Sequence, residues 1–232
     1  MNESTQANYA VNQDNPLWLQ FWQDQRVDFH QTEVNPLLAK FWINLELEYG
    51  CGVFVPLCGK SLDMLWLAQQ GHAVLGVELS PVAVAAFFRE NQLKFTKQRC
   101  GQFTLWQSGR LGILCGDYFA LNKKHLIGFE TVYDRSALTA LPETIRRLYV
   151  AQLRKIMPHK ARVFLLTVED AAEHETLAQA IEVSAEIKAL YQNDFSIELA
   201  YVESVFESDV TAENSPVKRA EYKVYRLSAE SP

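Results

Sequence analysis

Residues 53–78 read VFVPLCGKSLDMLWLAQQGHAVLGVE, and this stretch decides the fold of the chain. The apolar run 53–57 is typical of a buried strand, and the amphipathic run after it predicts a helix that ends at Gly71. A second apolar run, 74–77, leads directly into Glu78. The order strand, turn, helix, strand, acid predicts one βαβ unit with a carboxylate at the end of its second strand.

The turn at Cys58 and Gly59 joins the first strand of this unit to its helix. A helix N-terminus presents free backbone N–H groups to a ligand at such a turn. The carboxylate of Glu78 can accept hydrogen bonds from both hydroxyls of a ribose, although an acid in this position is otherwise a solvated strand end. The unit therefore predicts a site for a cofactor that contains a nucleoside.

Three classes of nucleoside cofactor use a unit of this kind. Gly59-Lys60-Ser61 matches the end of a phosphate-binding P-loop, but the first glycine of that motif would fall at Phe54. A dinucleotide site needs three spaced glycines, whereas this turn has one glycine and opens with Pro56. S-adenosylmethionine has a ribose and no phosphate, so it is the cofactor that fits the remaining features.

Residues 56–80, PLCGKSLDMLWLAQQGHAVLGVELS, resemble the signature of the thiopurine S-methyltransferase family, especially its bacterial members. The resemblance extends over most of the chain. It implies an α/β fold of the Rossmann-like class I methyltransferase type, with a mixed seven-stranded sheet flanked by helices and an N-terminal helical lid. It also implies S-adenosyl-L-methionine as cofactor, S-adenosyl-L-homocysteine as product, and a close approach of Leu57 and the following turn to the cofactor.

An aromatic stripe follows Asn15-Pro16, which predicts the capped start of a helix. Such a stripe by itself indicates packing against the core. In the resembled family a W-x-x-x-W pair followed by F-H borders the cofactor, which here implies Trp22 as a cofactor contact and Phe29 as an aromatic wall of the substrate site. The adjacent His30 is expected to be structural first and a candidate proton acceptor second.

Two further strands end in polar residues. Asp117 and Tyr118 follow the strand 111–115, where the family reaches the adenine, although Asp is also a common turn residue. Arg135 lies in the element DRSAL at the end of the strand 129–133, and the family has its active-site arginine in a D-R-x-A-L element. The resemblance implies that Arg135 holds the cofactor or the substrate; the alternative is a surface ion pair with Asp134 or Glu130.

The remaining pattern predicts one domain over residues 1–232, with a flexible tail over 1–14 and a helical cover over 15–50. A helix opens at Asn35-Pro36 and ends at Gly50, and Ser80-Pro81 caps another. The later elements are expected as follows: a strand over 103–107, a helix over 142–157, a strand over 161–168, a helix over 173–191, and strands over 197–205 and 220–227.

Composition excludes several classes of protein. The chain has 232 residues with a net charge of -6, which argues against a nucleic-acid partner. No apolar run is long enough to span a bilayer, and the polar N-terminus lacks the apolar core of a signal peptide, so a cytoplasmic protein is expected. The four cysteines have no metal spacing, so no metal site is expected. The sequence does not indicate an oligomeric state, and a monomer is consistent with it.

The chain departs from the family after Thr167, where VEDAAEHETLAQAIEVS replaces a tyrosine-containing element and G-P-P-F, and a late family arginine is missing near Phe206. The resemblance implies an S-methyltransferase that methylates aromatic or heterocyclic thiols, in which a thiolate attacks the sulfonium methyl group in line. The departures leave two alternatives: a methyltransferase for selenium or tellurium oxyanions or another small thiol, and a protein that binds S-adenosylmethionine without turnover.

Overall fold

A computed structural model describes residues 14–26, 30–170, 180–207 and 218–229. Most of the tail expected over 1–14, as well as Phe29, lies outside the described residues. The helices are α1 (14–23), α2 (Pro36–Phe41), α3 (Asp63–Gln69), α4 (Pro81–Glu90), α5 (Ala137–Ala140), α6 (Glu143–Ile156) and α7 (Ala185–Tyr191), with 3-10 turns at Trp42–Leu45, Tyr118–Ala120 and Lys123–Leu126. The strands are β1 (Gly52–Val55), β2 (Ala73–Glu78), β3 (Thr96–Cys100), β4 (Phe103–Ser108), β5 (Leu111–Cys115), β6 (Phe129–Arg135), β7 (Arg162–Asp170), β8 (Phe195–Glu207) and β9 (Lys218–Ala229).

These strands form one mixed sheet in the order β3-β4-β5-β2-β1-β6-β7-β9-β8. The five central strands from β5 to β7 are parallel, and the pairs at both sides of them are antiparallel. Within the described residues the sheet therefore has nine strands, and the predicted number of seven is wrong. The strand that the sequence does not reveal is β3, because its residues TKQRC are polar and lie at an exposed edge without apolar alternation.

Helices cover both faces of the sheet. On one face, residues of α2, α3 and α4 join a buried cluster with the β1 and β2 side chains Val53, Val55 and Val74. On the other face, α6 and α7 pack on a second cluster that includes Phe54, Leu75 and Val77. Successive residues of β1 thus enter opposite clusters, which explains why this strand is apolar throughout.

Three helix boundaries differ from the sequence prediction. Residues 14–23 are already helical, so Asn15 lies inside α1 and does not cap it. The helix that starts at Pro36 tightens into a 3-10 turn and ends at Glu46, which has a left-handed φ of 48°, before Gly50 is reached. In the described part of the expected helix 173–191, residues 181–184 are not helical, because Ser184 accepts a hydrogen bond from the Ile187 N–H and starts α7 anew.

None of the helices within the described ranges is both long and apolar enough to cross a membrane.

Candidate active site

A cavity of about 320 Å³ opens at the carboxyl ends of β5, β2, β1 and β6. Parallel strands deliver the residues that follow them to one edge of a sheet, so sites distant in sequence meet here. Helix α1 contributes to the wall of the cavity through Trp18 and Trp22. Of the residues expected at a site, the cavity is lined by Trp22, His30, Leu57, Glu78, Asp117, Tyr118 and Arg135.

Glu78 is buried at the end of β2, and its two oxygens each accept one backbone hydrogen bond. The Gly59 N–H donates to Oε2 at 3.0 Å, and the Ser80 N–H donates to Oε1 at 2.7 Å. Burial raises the pKa of Glu78 to about 7, and the backbone donors offset only part of this effect. A carboxylate offers about four acceptor positions, so about two remain open towards the cavity.

The turn after β1 approaches the cavity with two residues in the left-handed region. Leu57 has a φ of 45° and Gly59 a φ of 53°. The strain of a left-handed non-glycine residue is typical of functional sites, where surrounding structure enforces it. A Cβ atom added to Gly59 would lie 3.1 Å from Cζ2 of Trp22, so the indole of α1 covers this turn at close range.

Asp117 caps the 3-10 turn after β5, where its Oδ1 accepts a hydrogen bond from the Phe119 N–H at 2.9 Å. Its Oδ2 accepts one from Asn15 Nδ2 at 3.2 Å, which connects α1 to this end of the cavity. The buried Tyr118 hydroxyl donates a hydrogen bond to the Tyr149 carbonyl at 3.0 Å, so its proton is not available to a ligand. Phe119, which the sequence analysis did not single out, also lines the cavity.

Arg135 ends β6 and is held by residues of the turn after β1. Its Nε donates to Asp63 Oδ2 at 2.7 Å, and its Nη2 donates to Ser61 Oγ at 3.1 Å. The alternative ion pairs are not formed: Glu130 pairs with Lys160, and Asp134 accepts hydrogen bonds elsewhere. Asp63 and Ser61 were missed as candidates because an acid in the first turn of a helix is ordinary in a sequence.

Asp134 is buried and organises the segment after β6. Its Oδ1 accepts hydrogen bonds from the Ala137 and Leu138 N–H groups, and its Oδ2 accepts one from the Tyr149 hydroxyl at 2.6 Å. Burial raises the pKa of Asp134 to about 6, which these donors only partly offset. The neighbouring Ser136, which lines the cavity, has a left-handed φ of 59°.

His30 lines the cavity from the segment between α1 and α2. Partial burial lowers the pKa of its imidazole, and the nearby charge of Lys60 lowers it further. The ring is therefore neutral at neutral pH. Lys60 itself forms an ion pair of 2.8 Å with Glu90.

The end of the cavity next to β6 and β7 is mainly apolar. Sequence reasoning did not identify these residues, because they come from α5, α6, the link between these two helices, β7 and β9, and only the fold brings them together. They are Ala137, Ala140, Leu141, Ile145, Val168 and Tyr222. No group of His, Cys, Asp or Glu side chains in the described part of the chain is arranged to hold a metal ion.

Solved structures share this fold at low sequence identity. The structure of Burkholderia thailandensis 1,6-didemethyltoxoflavin-N1-methyltransferase with bound 1,6-didemethyltoxoflavin and S-adenosylhomocysteine matches with a TM-score of 0.61 at 13% identity, covering 97% of this chain and 91% of that one. A S-adenosylmethionine-dependent methyltransferase from Anabaena variabilis matches with a TM-score of 0.58 at 15% identity, covering 93% and 95% of the two chains. The expected class I methyltransferase fold is thereby confirmed.

Other proteins resemble this chain much more strongly in sequence than these solved structures do. The sequence model of the thiopurine S-methyltransferase family matches residues 13–230. A thiopurine S-methyltransferase of Stutzerimonas stutzeri is 58% identical over 219 residues, which cover 94% of this chain and 92% of the relative. A thiopurine S-methyltransferase of Nitrosospira multiformis is 39% identical over 211 residues, or 90% and 96% of the two chains. The chain therefore belongs to the thiopurine S-methyltransferase family.

Proposed function

We propose that this protein transfers a methyl group from S-adenosylmethionine to the sulfur of a small aromatic or heterocyclic thiol. The observation that carries the proposal is the order of polar groups along the cavity. Asp117 follows β5, Glu78 ends β2, the Leu57–Lys60 turn follows β1 and Arg135 ends β6, and these strands are neighbours in that order. The adenine, the ribose and the charged amino-acid end follow one another in the same order along the cofactor.

The ribose would be held by Glu78. With one acceptor position on each oxygen used by the Gly59 and Ser80 N–H groups, the remaining positions suit two neighbouring hydroxyls. Leu57 lines the same cavity as this carboxylate, and Trp22 covers the turn at Gly59. These residues fit the nucleoside part of the cofactor. A planar nucleoside needs a backbone segment that approaches it closely on one side and two hydrogen-bond acceptors for its diol.

The adenine would lie at the Asp117 end of the cavity. Each oxygen of Asp117 has one hydrogen bond and keeps acceptor capacity for an amino group. Phe119 and the ring of Tyr118 supply apolar contact, since the Tyr118 hydroxyl is bonded to Tyr149. At the opposite end, Arg135 would bind the carboxylate of the amino-acid portion, because a guanidinium pairs well with a carboxylate.

The acceptor would occupy the apolar end formed by α5, α6, β7 and β9. Ala137, Ala140 and Ile145 offer dispersion contacts to a flat ring, and Tyr222 adds an aromatic side. Within the described residues this end of the cavity is lined by apolar side chains and Tyr222, so an inorganic oxyanion would lose its hydration here without a neighbouring cation to replace it. The lining thus favours an aromatic thiol over a selenium or tellurium oxyanion. The role of Phe29 as a wall of this site stays a prediction.

The bound cofactor supplies an electrophilic methyl group, and the chain contributes position and the exclusion of water. An aromatic thiol is partly ionised at neutral pH, so a strong base is not required. The neutral imidazole of His30 can accept the thiol proton, which makes it a candidate general base. Its contribution to the rate is expected to be smaller than that of positioning the two reactants.

We also propose that the chain forms a single domain and lies in the cytoplasm, with no nucleic-acid partner. Four free cysteines support a reducing compartment, and the net charge of -6 argues against binding to phosphate backbones.

The test is a calorimetric titration with S-adenosylhomocysteine, followed by methyl-transfer assays with thiophenol, 6-mercaptopurine and selenite. Binding with transfer to either thiol is the expected result. Binding with methyl transfer only to selenite would mean that the acceptor is an inorganic oxyanion and not a thiol. Binding without any transfer would favour a non-catalytic cofactor-binding protein. The absence of binding would overturn the proposal as a whole.

A further inference from the structure

Asp63 is a buried carboxylate at the first turn of α3, with a relative exposure of 1%. It accepts three hydrogen bonds from three separate parts of the chain. The Asn35 N–H donates to Oδ1 at 2.8 Å, the Tyr133 hydroxyl donates to Oδ2 at 2.8 Å, and Arg135 Nε donates to Oδ2 at 2.7 Å. A buried carboxylate needs such donors to offset the loss of its hydration, and the three donors around Asp63 therefore stabilise its ionised form.

The Arg135 guanidinium is fixed along two of its sides. Besides the bond from Nε to Asp63, its Nη2 donates to Ser61 Oγ at 3.1 Å, and the same Oγ accepts the Asp63 N–H at 3.3 Å. Across the residues that the structure describes, no protein acceptor is hydrogen-bonded to Nη1. The planar group therefore has a defined orientation and one nitrogen left for a ligand in the cavity that it lines.

We infer that Asp63 is a positioning residue that holds the Arg135 guanidinium in the orientation in which it binds the carboxylate of the cofactor. This inference rests on the proposed function, in which Arg135 has that role. Arginine has several rotatable bonds, so without the acceptor at Nε its side chain would populate other rotamers in the cavity. Preorganisation by Asp63 removes that cost from binding.

The negative charge of Asp63 has an opposite effect on the affinity of Arg135 for the cofactor carboxylate. A carboxylate next to Arg135 partly neutralises the guanidinium and weakens its attraction for a second carboxylate. The two effects predict opposite results for Asp63→Asn, which removes the charge at nearly constant shape. If orientation dominates, the cofactor binds more weakly; if neutralisation dominates, it binds more tightly.

The experiment compares two ligands by calorimetry. S-adenosylhomocysteine carries the amino-acid carboxylate, and 5′-methylthioadenosine lacks the whole amino-acid end. For Asp63→Asn we expect about tenfold weaker binding of S-adenosylhomocysteine, the effect of losing one charge-assisted hydrogen bond, and no change for 5′-methylthioadenosine. Glu130→Gln is the matched control, because it makes the same chemical change on β6 in an exposed pair with Lys160.

A double-mutant cycle separates positioning from folding. In an Arg135→Met background, Asp63→Asn should cause no further loss of S-adenosylhomocysteine affinity, because the group it positions is gone. If Asp63→Asn does not fold, Ser61→Ala serves instead, since it removes the acceptor of Nη2 without leaving a buried charge unpaired. It should weaken S-adenosylhomocysteine by a smaller factor and spare 5′-methylthioadenosine.

Equal weakening of both ligands would mean a general structural role and would overturn the inference. So would unchanged or tighter binding of S-adenosylhomocysteine by Asp63→Asn. A different failure, in which the unsubstituted protein binds neither ligand, would remove the proposed function itself and leave nothing for Asp63 to position.

Discussion

Burial raises the pKa of Glu78 to about 7, and its backbone hydrogen bonds offset only part of this effect, so the carboxyl group titrates near neutral pH. In the proposed site a ribose diol donates hydrogen bonds to Glu78 and favours its ionised form, so cofactor binding would release a proton below pH 7. We expect S-adenosylhomocysteine to bind about tenfold more weakly near pH 6 than near pH 8. Titrations in two buffers with different ionisation enthalpies measure both the affinity and the proton release.

The same carboxyl group affects stability in the absence of ligand. Its pKa in the folded protein lies above the ordinary value of 4.5, so the folded state binds more protons than the unfolded state between these values. The free energy of unfolding therefore falls as the pH rises from about 4.5 to 7, by up to about 3 kcal/mol from this group. Glu78→Gln should flatten this part of a urea-unfolding pH profile and remove the pH dependence of binding, whereas Glu130→Gln should leave both unchanged. A profile that keeps its slope in Glu78→Gln would contradict this account.

Gly59 and Gly109 allow a matched test of the close approach between Trp22 and the turn. Both have a left-handed φ, of 53° and 55°, but a Cβ at Gly59 would meet Trp22 at 3.1 Å and one at Gly109 would meet nothing within 4 Å. Each alanine substitution should cost about 1 kcal/mol of stability from backbone strain. Only Gly59→Ala should also change the tryptophan fluorescence and weaken S-adenosylhomocysteine binding, by about tenfold if one well-packed contact is lost. Equal ligand affinities in the two variants would show that this contact is not part of the site.

At this scale the sequence identified the residues that surround the cavity better than their interactions. Trp22, Leu57, Glu78 and Arg135 were recognisable because they stand in long family motifs. The partners of Arg135 were not recognisable, because no local sequence pattern indicates that Asp63, at the start of α3, is buried against the end of β6.

Among the elements, α4 begins beside the cavity, because its N-cap Ser80 is hydrogen-bonded to Glu78 at the end of β2. Ser80 Oγ accepts the Ala83 N–H at 3.2 Å, while the Ser80 N–H donates to Glu78. Ser80→Ala should lower the free energy of unfolding by about 1 kcal/mol, the typical loss of an N-cap. Ser184→Ala removes the same kind of cap from α7 and should cost a similar amount. We expect weaker S-adenosylhomocysteine binding only for Ser80→Ala, measured by calorimetry beside urea unfolding; a loss of affinity in both would indicate a global effect.

The elements that the sequence predicted well are those with a strong hydrophobic period or a cap. The βαβ unit of residues 53–78 and the helix after Ser80-Pro81 appear as expected. The strand β3 was missed because its polar residues are ordered by pairing with β4, a tertiary effect that carries no local signal. The early end of the helix after Pro36 has a similar origin: Trp42 turns into the core, where its Nε1 donates to His72 Nε2 at 3.0 Å.

For the molecule as a whole, a buried ion pair joins β7 to β9 beside the apolar end of the cavity. Lys223 Nζ lies 3.1 Å from Glu169 Oε2, and the side-chain exposures are 3% and 17%. Glu169 also accepts the Tyr225 hydroxyl at 2.8 Å. Lys223→Met should lower the free energy of unfolding by about 3 kcal/mol, because it leaves a largely buried carboxylate without its cation.

The control for this prediction is the exposed pair of Lys160 and Glu130, with side-chain exposures of 73% and 51%. Lys160→Met should change the free energy of unfolding by less than about 0.5 kcal/mol. Urea unfolding of both variants at one pH measures the difference. Similar values for the two would mean that the pair between β7 and β9 does not stabilise this half of the sheet.

The strand β3 forms one border of the whole sheet, and its outer backbone groups have no strand to pair with in the described chain. Its side chains Lys97 and Arg99 are exposed, and Lys97 Nζ lies 3.5 Å from the Trp106 ring centroid. Two copies that paired along this border would bring the positively charged side chains of both β3 strands together, which like-charge repulsion opposes. The same polar composition that hides β3 from a reading of the sequence therefore disfavours pairing of two copies along this border of the sheet.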